Sequence, residues 1–237
     1  MLSDVAPARW LQESLCDEWT VAYVVPPVFP AYALISHPLA DPDDPGSAPG
    51  FEIPLDVLTP FVRLFNDANA SEVYLGVWEG SGIDPGSSSV FGWAPETEGM
   101  SRRQQRSYWK KRTLEHREQI RFSFDPAVYE AMARRTLIGL PGESQGRDHL
   151  ILRAPLRALA TPTWPEGAGL GYRAADDRGR MPNVVWPQSR EWVIACDMDS
   201  SVTAVGGSQE LIDAVIESPD LHAVRVGPHH PLPAWDE

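Results

Sequence analysis

The sequence predicts an α/β or α+β protein: a single mixed-sheet domain over 1–237, with flanking helices and a basic helical insertion or flap at 101–138. Three observations lead there. Apolar residues are 43% of the 237-residue chain, and nine tryptophans run from Trp10 to Trp235, enough material for a sizeable core. Short apolar strand patterns occur towards both ends, and neither half carries a complete patterned core. The C-terminal region reads as strand, loop, helix and strand, a βαβ-like unit.

Taken in order, a short helix is expected around Arg9–Leu15. A strand over Trp19–Val25 follows from its β-branched and aromatic content. A second short strand, Tyr32–Ser36, comes after Pro26, Pro27 and Pro30, and Asp41–Gly46 is a turn-forming connection. Leu55, Leu58, Val62 and Phe65 mark one apolar helix face, and Thr59-Pro60 reads as N-cap and first residue. Ser71–Trp78 is a strand buried on both faces, hence central, and 79–99 is a Gly/Ser/Pro-rich loop.

Ser101-Arg102-Arg103-Gln104 has capping-box form, but Tyr108, Trp109, Leu114 and Ile120 make no clean stripe behind it. Asp125-Pro126 starts a helix whose core stripe is Val128, Tyr129, Met132, Ala133 and Thr136, stopped by Gly139 and Pro141-Gly142. A strand over His149–Arg153 is followed by a loop-like stretch from Thr161 to Arg190. Trp192, Ile194, Cys196 and Met198 then alternate with Val193, Ala195, Asp197 and Asp199. After Gly206-Gly207-Ser208, Leu211, Ile212, Val215 and Ile216 line one helix face. Pro219 stops that helix, and His222–Val226 is a final strand.

Charge narrows the function. The net charge of −13 opposes general nucleic-acid binding by the whole surface. Residues 101–121 hold eight basic and two acidic side chains (+6), leaving 12 basic and 31 acidic elsewhere (−19). No apolar run approaches the ~20 residues that cross a bilayer, and the start of the chain lacks the basic and apolar regions of a secretory signal. Two distant cysteines, Cys16 and Cys196, form no C-x-x-C and read as small buried hydrophobes. A cytoplasmic protein with no membrane span is expected.

The stretch Val185-Trp186-Pro187-Gln188-Ser189-Arg190-Glu191-Trp192-Val193-Ile194-Ala195, running on through Asp197 and Asp199 to Val205-Gly206-Gly207-Ser208, resembles the end of a family of uncharacterised actinobacterial proteins. Their pattern is W-P-x-x-R-x-W-x-x-A, an acidic strand, then a Y-V-G-G-S turn and a helix. Phe29–Pro38 and Val77-Trp78-Glu79-Gly80 are similar too. The resemblance implies a compact bacterial cytosolic protein and no particular activity. This chain departs from the family in having Ala204 in place of the aromatic residue, and in its basic 101–121 segment.

Asp197 and Asp199, at i and i+2 on a strand, would share a face and can bind a divalent cation or divide acid–base work. The simpler alternative is an acidic strand end facing solvent, or Asp197 holding Arg190 or another arginine. Gly206-Gly207 before a helix can let an anion approach, while Ser208 as a plain N-cap explains the same residues. The solitary histidines, and the absence of G-x-S-x-G, H-E-x-x-H and Walker patterns, give no catalytic set. Trp186 and Trp192 are expected in the core.

The basic residues Arg102, Arg103, Arg106, Lys110, Lys111, Arg112, Arg117 and Arg121 can hold an acidic protein partner or nucleic acid, or can fold back on the chain's own acidic surface. The leading reading is therefore a non-enzymatic binding protein, immunity-like or regulatory, with no cofactor. The runner-up is a metal-dependent hydrolase or transferase at Asp197 and Asp199, with Glu79 as third carboxylate. The third reading is a nucleic-acid binder through 102–121.

Overall fold

A computed structural model describes residues 4–37, 52–65, 72–79, 99–111, 125–133, 137–140, 147–170 and 181–233. Eight strands form one sheet: β1 (Ala31–Ser36), β2 (Glu72–Trp78), β3 (Ile138–Leu140), β4 (Arg147–Pro155), β5 (Val184–Pro187), β6 (Val193–Ala195), β7 (Val202–Gly207) and β8 (Ala223–Val226). Their spatial order is β3-β4-β2-β5-β6-β7-β1-β8, and every adjacent pair is antiparallel. The architecture is thus α+β, with strands from both ends of the chain in one sheet. Among the described residues no helix is long and apolar enough to cross a membrane.

Both faces of the sheet are covered, so the central strands are apolar on both sides rather than alternating. On one face, α3 (Leu55–Arg63), α7 (Gln209–Glu217), the 3-10 turn Leu156–Ala160 and α6 (Trp164–Gly167) enclose Ile35, Phe61, Val73, Leu75, Trp192 and Ile194. On the other, α1 (Arg9–Ser14) and α2 (Val21–Val24) cover Leu34, Ile151, Trp186, Val193 and Ala204. Trp186 is fully enclosed, and Trp192 stacks on Phe65 with ring centroids 5.1 Å apart.

Local start signals worked as expected. Ser208 caps α7 by accepting from the Leu211 amide (3.2 Å). Its helix ends at Glu217, because Ser218, ahead of Pro219, is held extended (φ −65°, ψ 122°). Asp125 accepts from the Ala127 amide (2.8 Å) at the start of α5 (Pro126–Ala133), and Val128 of that helix is buried. The side chains of Tyr129, Met132, Ala133 and Thr136 lie outside the described residues, as do Asp41–Gly46, most of 79–99, and the Pro141-Gly142 stop.

Several expectations are corrected. Trp19–Val25 is not a strand: Val21–Val24 is one helical turn. There the Val21 and Ala22 amides donate to the carbonyls of His230 and Pro228 (2.9 and 2.8 Å), so tertiary partners override β propensity. Helix α3 begins at Leu55, with Pro60 inside it and the Val57 and Leu58 amides on Pro54 O. An interior proline costs about 3 kcal/mol. Burial of Val57, Leu58, Phe61 and Val62, at roughly 1.5–3 kcal/mol each, outweighs it. Gly139 ends no helix but lies in β3, and the stretch from Thr161 to Arg190 contains α6 and β5.

The C-terminal unit is built differently from its pattern. Strand β6 is only Val193–Ala195, and β7, unforeseen because it is buried on both faces, pairs back on it as a hairpin. The βαβ relation runs β7–α7–β8: both strands lie antiparallel to β1, which sits between them. Gly206-Gly207 ends β7 and is not a turn.

Candidate functional site

The basic segment is helical over 102–111, labelled α4. Its first turn closes the expected capping box: the Ser101 amide donates to Gln104 Oε1 (2.9 Å), and the Gln104 amide lies 3.4 Å from Ser101 Oγ. Helical geometry then sorts the side chains. Arg102, Arg106 and Lys110 follow at intervals of four, and Arg103 stands three before Arg106, so at ~100° per residue the four cations share an arc of about 100°. They extend over ~12 Å at the 1.5 Å rise of a helix. The half-buried Gln105, Tyr108 and Trp109 flank the arc on its Arg102 side, Trp109 within ~20° of Arg102, and the exposed Lys111 falls outside it.

The four cations of that arc are exposed. Among the described residues none of them joins an ion pair; the described pairs are made by Arg63, Arg147, Arg153 and Arg225. Like charges one turn apart repel, by about 0.7 kcal/mol at ~6 Å in water, and such i,i+4 pairs weaken a helix. The stripe is thus a cost to the isolated helix that an anionic partner would relieve. Arg112, Arg117 and Arg121 lie outside the described residues.

Asp197 and Asp199 are brought together by an arginine, Arg147 rather than Arg190. Beyond β6 the chain turns, with the Ser200 amide on Asp197 O (3.1 Å) and the Asp199 amide on Asp197 Oδ1 (2.9 Å). Arg147, at the start of β4, donates from Nη1 to Asp197 Oδ1 (2.7 Å) and from Nη2 to Asp199 Oδ2 (2.5 Å), and its guanidinium lies 5.8 Å from the Trp78 ring centroid. The side chain of Asp197 is 7% exposed and that of Asp199 63%. Burial raises the Asp197 pKa despite the Asp199 amide and Arg147, so desolvation dominates there.

Around this triad Asn183 stitches three strands: its amide donates to Gly76 O, its Oδ1 accepts from the Trp78 amide, and its carbonyl accepts from the Cys196 amide (2.8 Å each). His149 Nδ1 lies 2.6 Å from Arg147 O, and burial lowers its pKa to about 4. Burial likewise raises the Cys196 thiol's pKa, which makes it a poor nucleophile. Tyr23, His149, Asn183, Cys196 and Asp197 line a cavity of about 30 Å³, room for one or two waters. Glu79 is half-buried directly after β2. Among the described residues no group of three or more His, Cys, Asp and Glu is placed to hold a metal ion. Both aspartates instead converge on a guanidinium that stays charged at any working pH.

Gly206 and Gly207 belong to neither cluster. In β7 the register pairs Val193 with Gly206 and Ala195 with Ala204, so the aspartates lie beyond the opposite end of that strand. Val202 and Gly207 are five strand steps apart, ~17 Å. A Cβ on Gly206 would come within 2.6 Å of both Phe29 Cδ2 and Val25 Cγ1, and one on Gly207 within 2.8 Å of Leu211 Cδ2. These glycines admit close packing. Gly206→Ala is expected to lower stability by about 2 kcal/mol, read as a reduced urea midpoint. An unchanged midpoint would refute the packing account.

At the Gly207 end, Phe65, Trp192 and Leu211 floor an open cleft of about 770 Å³. Its Arg153 and Glu72 pair with each other. Comparison with protein-family models, with curated proteins and with solved structures found no match to this chain.

Proposed function

We propose that this chain is a non-enzymatic binding protein whose helix α4 docks on an acidic, helical segment of another protein. The observation that carries the reading is the exposed arc of Arg102, Arg103, Arg106 and Lys110, none ion-paired among the described residues. The ~6 Å repeat of Arg102, Arg106 and Lys110 equals the rise between carboxylates at i, i+4 and i+8 of a partner helix. A short acidic segment can engage the arc locally. A long nucleic acid would also meet the rest of the surface, which carries −19 outside 101–121.

The reading is tested by titrating the protein with a helical peptide carrying glutamate at every fourth position, a scrambled peptide of equal charge, and a duplex oligonucleotide. The spaced peptide is expected to bind tightest, with affinity falling as salt rises. Tighter binding of the duplex would support the nucleic-acid reading instead. Equal binding of the two peptides would remove the helical partner.

A further inference from the structure

We propose that the free edge of β8 pairs with β8 of a second copy, joining two sheets into one. The two edges of the sheet are treated differently. On β3 the outer side is closed by α1, whose Gln12 donates from Nε2 to Gly139 O (3.0 Å). Among the described residues, no strand pairs with the outer side of β8.

The ladder fixes which groups that edge offers. Ser36 donates to His222 O (2.9 Å), and the register continues with Leu34 opposite Val224 and Tyr32 opposite Val226. Alternation in an antiparallel pair therefore turns His222, Val224 and Val226 towards β1, and points the N–H and C=O of Ala223 and Arg225 outward. Val224 is 60% exposed, one of two large hydrophobic side chains so placed among the described residues. Arg225, on the opposite face, is bound to Asp213 of α7.

This edge is complementary to itself in a register centred on Val224. A two-fold axis through Val224, perpendicular to the sheet, sets Ala223 opposite Arg225 of the second copy and Arg225 opposite Ala223. Those two pairs exchange four backbone hydrogen bonds, while the two Val224 side chains meet in the close, non-hydrogen-bonded position, Cα atoms about 4.5 Å apart. Centring the axis on Arg225 would place two arginines face to face. A four-residue strand buries little, so the dimer belongs with the small, weak interfaces. Two chains of charge −13 also repel, so added salt should strengthen self-association, whereas it weakens a basic stripe bound to an acidic partner.

Sedimentation velocity on the whole chain over a wide concentration range tests this. The parent's mean mass is expected to rise towards two chains, more readily in high salt. Val224→Lys, which charges the exposed centre, should stay at one chain with the parent's melting temperature; Ala223→Pro, which removes an outward N–H from a residue half-buried against the core, should also stay at one chain. A parent that remains at one chain throughout would overturn the proposal. So would dimerisation of Ala223→Pro as strong as the parent's.

Discussion

Between pH 6.5 and pH 4 the protein is expected to lose stability on the order of 6 kcal/mol through two histidines, enough to unfold a marginal domain. His37, beyond β1, lies 2.8 Å from Thr203 Oγ1 through Nε2, and His149 lies within β4. Burial lowers each pKa from the ordinary 6.5 to about 4. A base whose folded pKa is depressed takes its proton more readily when unfolded. Its contribution is therefore complete above pH 6.5 and lost as pH falls to 4, at about 3 kcal/mol per histidine. Asp197 works in the opposite sense: its raised folded pKa favours the folded state as pH falls through the carboxylate range, a partial offset. Urea midpoints at a series of pH values check this, and His37→Gln with His149→Gln should flatten the profile. A parent equally stable at pH 7 and pH 4.5 would contradict it.

Arg147→Met is expected to cost about 3–5 kcal/mol at neutral pH, because it strands a buried carboxylate beside a second one. Asp197 keeps its Asx-turn bond to the Asp199 amide but loses the guanidinium, and water reaches it poorly. The loss should shrink on acidification, as Asp197 takes up a proton. By contrast Asp197→Asn should cost about 1 kcal/mol or less. An amide oxygen can still accept from the Asp199 amide and from Arg147, and the charge it removes is one that burial already disfavours. Equal losses for the two variants would mean the triad is not held by the arginine.

The contrast between these residues and the caps shows what the chain makes readable. Ser101 with Gln104, Asp125 with Pro126, and Ser208 ahead of Leu211 act within three residues, so their signals are local and survive without a fold. Arg147 meets Asp197 across 50 positions, and nothing along the chain marks the pair. The Val-rich Trp19–Val25 segment has strand composition, yet the returning carbonyls of Pro228 and His230 decide its shape. Gly206-Gly207 misled for a related reason: glycine signals both a turn and close packing, and only Phe29 and Val25 distinguish them. The basic arc was half legible. Its charge stood out, but Tyr108 and Trp109 hid the fact that Arg102, Arg103, Arg106 and Lys110 share one face.

The central claim, an outward-facing basic helix that binds an acidic partner, is tested most directly by reversing Arg102, Arg103 and Arg106 to glutamate. Melting temperature and affinity for the glutamate-spaced peptide are then measured on the same sample. Since each replaced side chain is exposed and none is ion-paired among the described residues, the melting temperature should match the parent's. Three reversed charges should weaken the peptide at least tenfold at low salt, about 1.4 kcal/mol. A lowered melting temperature with unchanged peptide affinity would show that the arginines serve the chain's own acidic surface.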